Sequence, residues 1–244
     1  MPLARPQPEN MKSDFAALPV FPGVAGGDKG SLMAAMTSKL EEDIIFGRLH
    51  PRERLIEEEL MQHFGVKRHV VREVLAALDR MGLIERRKNV GALVRSFTIR
   101  DVAELYAVRG LLETEAARLI PLPIPEDSLA GLLAIQEQHD EAVLASSPPR
   151  VFRANLAFHQ ALFELTGNQT LQQAIAEYAR QTHPIRFSAL AAADYRERAR
   201  SEHWHMIDAL RAGDRETLVA LCAAHLLPSR DVYLAAHVYH LERV

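Results

Sequence analysis

The sequence predicts a mostly α-helical chain in two parts: an N-terminal winged helix-turn-helix and a C-terminal all-helical bundle. Three observations predict it. Between Ser31 and Met81 lie three helix-period segments punctuated by glycine, and two short strand-like runs come after them. From Thr98 onward every periodic signal is helical. Between Lys67 and Arg95, eight lysines and arginines stand against three acids, a local excess of five positive charges in a chain of net charge −3.

Residues 1–30 carry five prolines and four glycines, which forbid a long helix and leave little to bury, so they read as a mobile tail. The winged helix-turn-helix is assigned to 31–97. Ser31 is placed to cap a first helix in which Leu32, Met36, Leu40 and Ile44 recur at helical spacing, with Gly47 and Pro51 as stops. A second helix over roughly 56–64 ends at Gly65, suited to a left-handed turn. A third, about 67–81, ends at Gly82. Residues 83–86 and 92–94 read as strands around a turn at 88–91.

The helical domain is assigned to 98–244. Thr98 with Asp101 forms a capping-box pattern. Helices are expected at about 100–119, 126–145, 149–166, 168–190, 195–212 and 214–227. Pro184 would kink the fourth of these, and Pro228 would end or kink the last, with one further helix over 229–244.

Composition narrows the class. The lone Cys222 excludes an internal disulfide framework and fits a reducing cytosol. No run approaches the ~18 apolar residues of a membrane span, and no signal peptide is visible, so a cytoplasmic protein without membrane contact is expected.

In the third helix Val71, Val74, Leu75 and Leu78 fall on one face, which turns Arg68, His69 and Arg72 outward near its N-terminus. A recognition helix presents those positions to base edges, where arginine can meet guanine O6 and N7 together. Lys67 is placed to meet a phosphate. Lys88, Asn89 and Gly91 would form the wing tip. A solvated charged face would look the same in isolation. Order and spacing distinguish the two. Gly47, Leu49 and Pro51, then Gly65-Val66 with Arg68, Val71-Arg72-Glu73, Gly82-Leu83 and Gly91 resemble the DNA-binding domain of the GntR family over the whole of 45–94. The resemblance implies a regulator reading double-stranded operator DNA. The chain departs from it at Lys67, where the family has a Ser or Thr cap worth about 1 kcal/mol. It departs again at Glu58, where the family often places an arginine against DNA.

On the helix over 100–119 the apolar stripe is Val102, Leu105, Leu112, Ala116 and Leu119, and Arg109 lies within it. A buried guanidinium requires a carboxylate. Arg109 therefore either clamps the carboxylate of a small effector or forms a structural ion pair, with Glu113 or with a neighbouring helix. Asn155 and His159 stack at i and i+4. His203 and His225 lie eleven residues before and after Asp214, each about 16 Å from the turn between their helices. If those helices are antiparallel, the two imidazoles are level. Three histidines and an amide would then converge on a metal, although an inward histidine is more often a hydrogen-bonded core residue.

"LYAVRGLLETEAARL", "NLAFHQALFELTGN" and "EHWHMIDALRAGD" followed by His225 are similar to the FCD ligand-binding domain. That resemblance implies a divalent metal, zinc or nickel, held by an Asp and three His beside a carboxylate effector. The positions carried over are Asn155, His159, His203 and His225, with Asn155 replacing the Asp. Together the two resemblances imply a homodimer on an inverted-repeat operator, controlled by the effector and without catalytic residues. The rival readings are a metal-dependent hydrolase built on the histidines and a winged helix used only as a protein-docking surface.

Overall fold

The computed structural model describes residues 29–87 and 90–241, with side chains from 31 to 87 and from 90 to 235. Residues 1–28, Lys88 and Asn89 lie outside the described residues. The chain divides into two compact units between Ser96 and Phe97.

The first unit runs α1 (Lys29–Ile45), β1 (Arg54–Leu55), α2 (Glu57–Phe64), α3 (Arg68–Arg80), β2 (Ile84–Arg87) and β3 (Gly91–Val94). Its sheet has the order β1-β3-β2 and is antiparallel throughout, with Arg54 opposite Leu93 and Ile84 opposite Val94. α3 buries Val70, Val71, Val74, Leu75 and Leu78, a stripe at i, i+1, i+4, i+5 and i+8. They pack on Met36 and Leu40 of α1, Leu60 of α2, and Ile84 and Val94 of the sheet. Each such side chain contributes about 1.5–3 kcal/mol by leaving water, and Leu78→Ala would cost about 2–5 kcal/mol. Gly65, at φ +64°, ends α2 in the left-handed conformation and donates to the Met61 carbonyl. One expectation is corrected. Ser31 lies inside α1, which begins at Lys29, so it is not the cap. The sequence pattern also does not predict strand β1, because Arg54-Leu55 is too short to show a period.

The second unit holds α4 (Ile99–Leu119), α5 (Glu126–Leu144), α6 (Pro148–Glu164), α7 (Gln169–Gln181), α8 (His183–Ala189), α9 (Ala193–Ala212) and α10 (Arg215–Leu241). The expected capping box is present: the Asp101 N–H donates to Thr98 Oγ1 at 3.1 Å and the Thr98 N–H to Asp101 Oδ2 at 2.8 Å. The core gathers Phe158, Leu162, Met206, Leu210, Leu132 and Ile120.

Three differences from the sequence expectation have clear causes. Around Pro184 the chain makes two helices instead of one kinked one. Proline suits the first turn of a helix, and it stands there in α8. Leu119 is half exposed, because the buried face of α4 is Val102, Tyr106, Arg109, Glu113, Ala116 and Ala117. Pro228 does not end the last helix, and 229–241 continue it. Contacts just past Pro228 offset its missing N–H. The Tyr106 hydroxyl and Ser229 Oγ share a hydrogen bond of 2.8 Å, and Tyr233 packs with Phe97 and Val102. As one helix, Arg215–Ala235 is long and apolar enough to cross a membrane, which the sequence expectation excluded. Its Leu218, Cys222, His225 and Leu226 are buried within the bundle.

Candidate functional site

In the first unit Lys67, Arg68, His69 and Arg72 are all exposed at the start of α3. Lys67 is the N-cap and supplies no side-chain hydrogen bond, as its chemistry requires. The two arginines are not free. Arg68 Nη2 donates to Glu58, and Arg72 Nε donates to Glu57 Oε1 at 3.1 Å. These acids fill the first turn of α2 with Glu59, where negative charge suits the helix dipole and no side-chain cap exists. Their arginine partners keep side-chain exposures of 49% and 60%.

At the wing, Gly91 has φ +100°, a region that disfavours other residues. A Cβ there would stand 3.8 Å from the Arg54 guanidinium. Arg54, Arg86, Arg87, Gly91, Glu57 and Glu58 line one concave patch. Arg54 is a wing-side cation that sequence reasoning missed, because its position depends on the unrecognised strand β1.

In the second unit a cavity of about 430 Å³ opens between α4, α6, α7 and α8. Its apolar wall includes Leu156, Phe163, Ile175 and Ala179, and its charged wall is Arg109, Glu113, Arg180 and Arg186. Arg109 is buried and donates from Nε to Glu113 Oε1 at 2.8 Å and from Nη1 to Thr182 Oγ1 at 3.0 Å. Of the two readings of Arg109, the internal ion pair with Glu113 is the one formed here. Burial is the largest single influence and opposes its charge, but Glu113, with Tyr106 and Tyr195, together outweigh it and hold the guanidinium above its ordinary range.

Beside the cavity three imidazoles meet. His159 Nε2 and His225 Nε2 are 3.0 Å apart, and one nitrogen from each of His159, His203 and His225 lies within 4.8 Å of the others. Gly213, at φ +69°, turns α9 into α10 and brings His203 level with His225, with ring centroids 5.0 Å apart. The outward nitrogens are held: His203 Nδ1 bonds Gln136 Oε1 at 2.9 Å, and His225 Nδ1 bonds Glu202 Oε2 at 2.7 Å. His203 Nε2 is buried without a partner. Burial, then the nearby His225, pushes His159 and His203 well below the ordinary imidazole range and keeps both neutral.

Asn155 is buried, and its carboxamide oxygen accepts from Arg186 Nη2. His205 is exposed, as its offset from His203 predicts. Sequence reasoning missed Arg186, His183, Gln136 and His139. The first two belong to α8, which helical periodicity alone merges with the helix before it. Gln136 and His139 lie on α5, a helix without a motif.

Comparison with known proteins agrees with this division. Residues 33–94 match the model of bacterial regulatory proteins of the gntR family, and 104–227 match the FCD domain. The chain is 29% identical over 211 residues to the HTH-type transcriptional regulator LutR of Bacillus subtilis, covering 76% of this chain and 94% of that one. It is 26% identical over 189 residues to the regulator YdhC of the same organism, covering 77% and 84%. Among solved structures, E. coli McbR/YncC aligns with a TM-score of 0.73 at 21% identity, covering 84% of this chain and 98% of that one. A GntR regulator from Rhodococcus sp. RHA1 aligns with a TM-score of 0.72 at 24% identity, covering 84% and 99%. At these identities the structural likenesses speak for the fold.

Proposed function

The chain belongs to the GntR family, as a DNA-binding transcription regulator with an FCD domain. From that premise we propose that a small carboxylate in the α4–α8 cavity, beside a divalent metal on three histidines, controls its binding to an operator. One observation carries the reading: His159 both lines the cavity and belongs to the histidine cluster. A ligand seated there lies against whatever the histidines hold.

The residues fit a metal. His159, His203 and His225 would supply three imidazole nitrogen donors, and the His203 and His225 rings are already oriented by Gln136 and Glu202. Asn155 would join them only by releasing Arg186. When bound, a zinc or nickel ion would supply a positive centre for a carboxylate oxygen. The protein's own part is to hold His159 and His203 neutral, present Arg109 and Arg186 to the cavity, and wall it with apolar side chains.

On DNA, α3 would enter the major groove with Arg68, His69 and Arg72 toward the bases. Lys67 would meet a phosphate, and the wing with Lys88, Asn89, Gly91 and Arg54 would reach the backbone or minor groove. Two copies related by a two-fold axis would read an inverted repeat. The hydrolase alternative has no support from the family or the relatives.

Isothermal titration of the chelator-treated protein with zinc and with nickel tests the metal, using His203→Ala as the control. One ion per chain, lost in the variant, is expected. Equal uptake by both proteins would refute the assignment. Operator mobility shifts with and without a carboxylate panel test the control, and a response that survives Arg186→Met with Arg109→Met would remove the cavity from it.

A further inference from the structure

The two cavity arginines are in opposite electrostatic states. Arg109 has a buried carboxylate partner in Glu113. Arg186, 6% exposed, has none: among the described residues its hydrogen-bond partner is the neutral amide oxygen of Asn155. Burial and the neighbouring Arg109 charge push its guanidinium below the ordinary range. A third buried arginine shows what a settled one looks like. Arg196 donates to the Leu190 and Ala191 carbonyls, just past the C-terminus of α8, where a cation is welcome. Arg186 has no such end to cap. Beside it His183 Nδ1 is buried without a partner, and both side chains line the cavity. A desolvated cation and an orphaned imidazole nitrogen share one wall, and Leu156, Phe163, Ile175 and Ala179 supply apolar lining.

Resting on the reading of this cavity as the effector site, we propose that Arg186, not Arg109, is the principal anion anchor, and that the ligand is a carboxylate with a short apolar body. Asn155 is the specificity-determining residue, because an uncharged amide at that position orients the guanidinium without neutralising it. The carboxylate replaces the counter-charge that the protein omits, with Arg186 as a two-pronged donor and His183 as an added one. An aspartate at 155 would occupy Arg186 permanently and leave the cavity without an unmet charge.

The test compares wild type, Asn155→Asp and Arg186→Met as full chains in chelator-treated, low-anion buffer, with benzoate and hexanoate as probes and benzamide and hexanamide as uncharged controls. Wild type should bind the acids at least tenfold more tightly than the amides. Asn155→Asp should lose tenfold or more for the acids with the amides unchanged. Its own thermal midpoint without ligand should rise by several degrees, because the buried cation gains a partner. Arg186→Met should melt no lower than wild type and lose the acid preference. Equal acid binding by wild type and Asn155→Asp would overturn the anchor while leaving a carboxylate effector site intact. A lower melting point for Asn155→Asp would overturn the unpaired state of Arg186. Binding of the acids by wild type only after zinc is restored would overturn Arg186 as the principal anchor, and failure to bind any acid with or without zinc, with both melting results as expected, would overturn the effector reading and the ligand class with it.

Discussion

The arginines of the two units face opposite problems. In the first unit Arg68 and Arg72 are half exposed and paired with acids of α2, in water where such pairs are worth at most about 1 kcal/mol. In the second unit Arg109 and Arg186 are almost wholly buried, where a missing partner costs several kcal/mol. An exposed pair is easily exchanged for phosphates and bases, so on the proposed reading Glu57 and Glu58 would hold Arg68 and Arg72 without committing them. A buried pair is part of the fold. On the proposed reading, pairing in the first unit would tune the DNA interface, whereas in the second it would decide which cation is left for a ligand.

The largest effect that would break this contrast is at Arg109. Arg109→Met leaves Glu113 buried and unpaired and should cost about 3–5 kcal/mol of stability by chemical denaturation. A loss under about 1 kcal/mol would show that the pair is dispensable. Next, Arg72→Ala should lower specific operator affinity by about 10- to 100-fold, the worth of one bidentate base contact, with melting unchanged. Fluorescence anisotropy on an operator duplex measures it, and unchanged affinity would take Arg72 out of base reading.

A third prediction concerns pH. His139 is buried beside His203 and pushed down to about 4 by burial. The unfolded chain binds its proton near 6.5 and the folded chain does not, so the stability this group contributes is present above pH 6.5 and is lost as pH falls toward 4. His139→Gln should therefore lose about 1–2 kcal/mol less than wild type between pH 7 and pH 5. Parallel curves would mean that His139 is protonated when folded. The smallest effect is at Glu58. Glu58→Gln releases Arg68 and should raise operator affinity by only about two- to fivefold, shrinking with added salt. A fall in affinity would mean that Glu58 positions the arginine for DNA.

Much of the fold is legible in the sequence because its signals are local. The buried stripe of α3, the stop at Gly65 and the Thr98–Asp101 cap each sit within a few residues of sequence. The meeting of His203 and His225 is also legible, because equal spacing on both sides of a glycine turn is a one-dimensional statement of a two-helix geometry. The illegible parts depend on partners far along the chain. Strand β1 exists because β3 pairs with it, α10 continues past Pro228 because Ser229 finds Tyr106, and Arg186 matters because of Asn155, thirty-one residues away. The stripe around Arg109 differs from its sequence pattern for the same reason. Leu119 fits the helical period, but among the described residues no neighbouring helix covers it.

The contact between His159 and His225 has a consequence for protons. Wherever His225 carries no second hydrogen, the Nδ1 hydrogen it gives to Glu202 leaves its facing Nε2 bare, and the hydrogen shared between the rings belongs to His159. His159 Nδ1 is then a buried lone pair with nothing to accept. To offer Nε2 to an incoming cation, His159 must move its hydrogen across the ring to that empty side. From that state loading would be an internal tautomer exchange with no proton released to solvent, and buffers of different ionisation enthalpy should give the same calorimetric heat; heats that differ among buffers would show that a proton leaves.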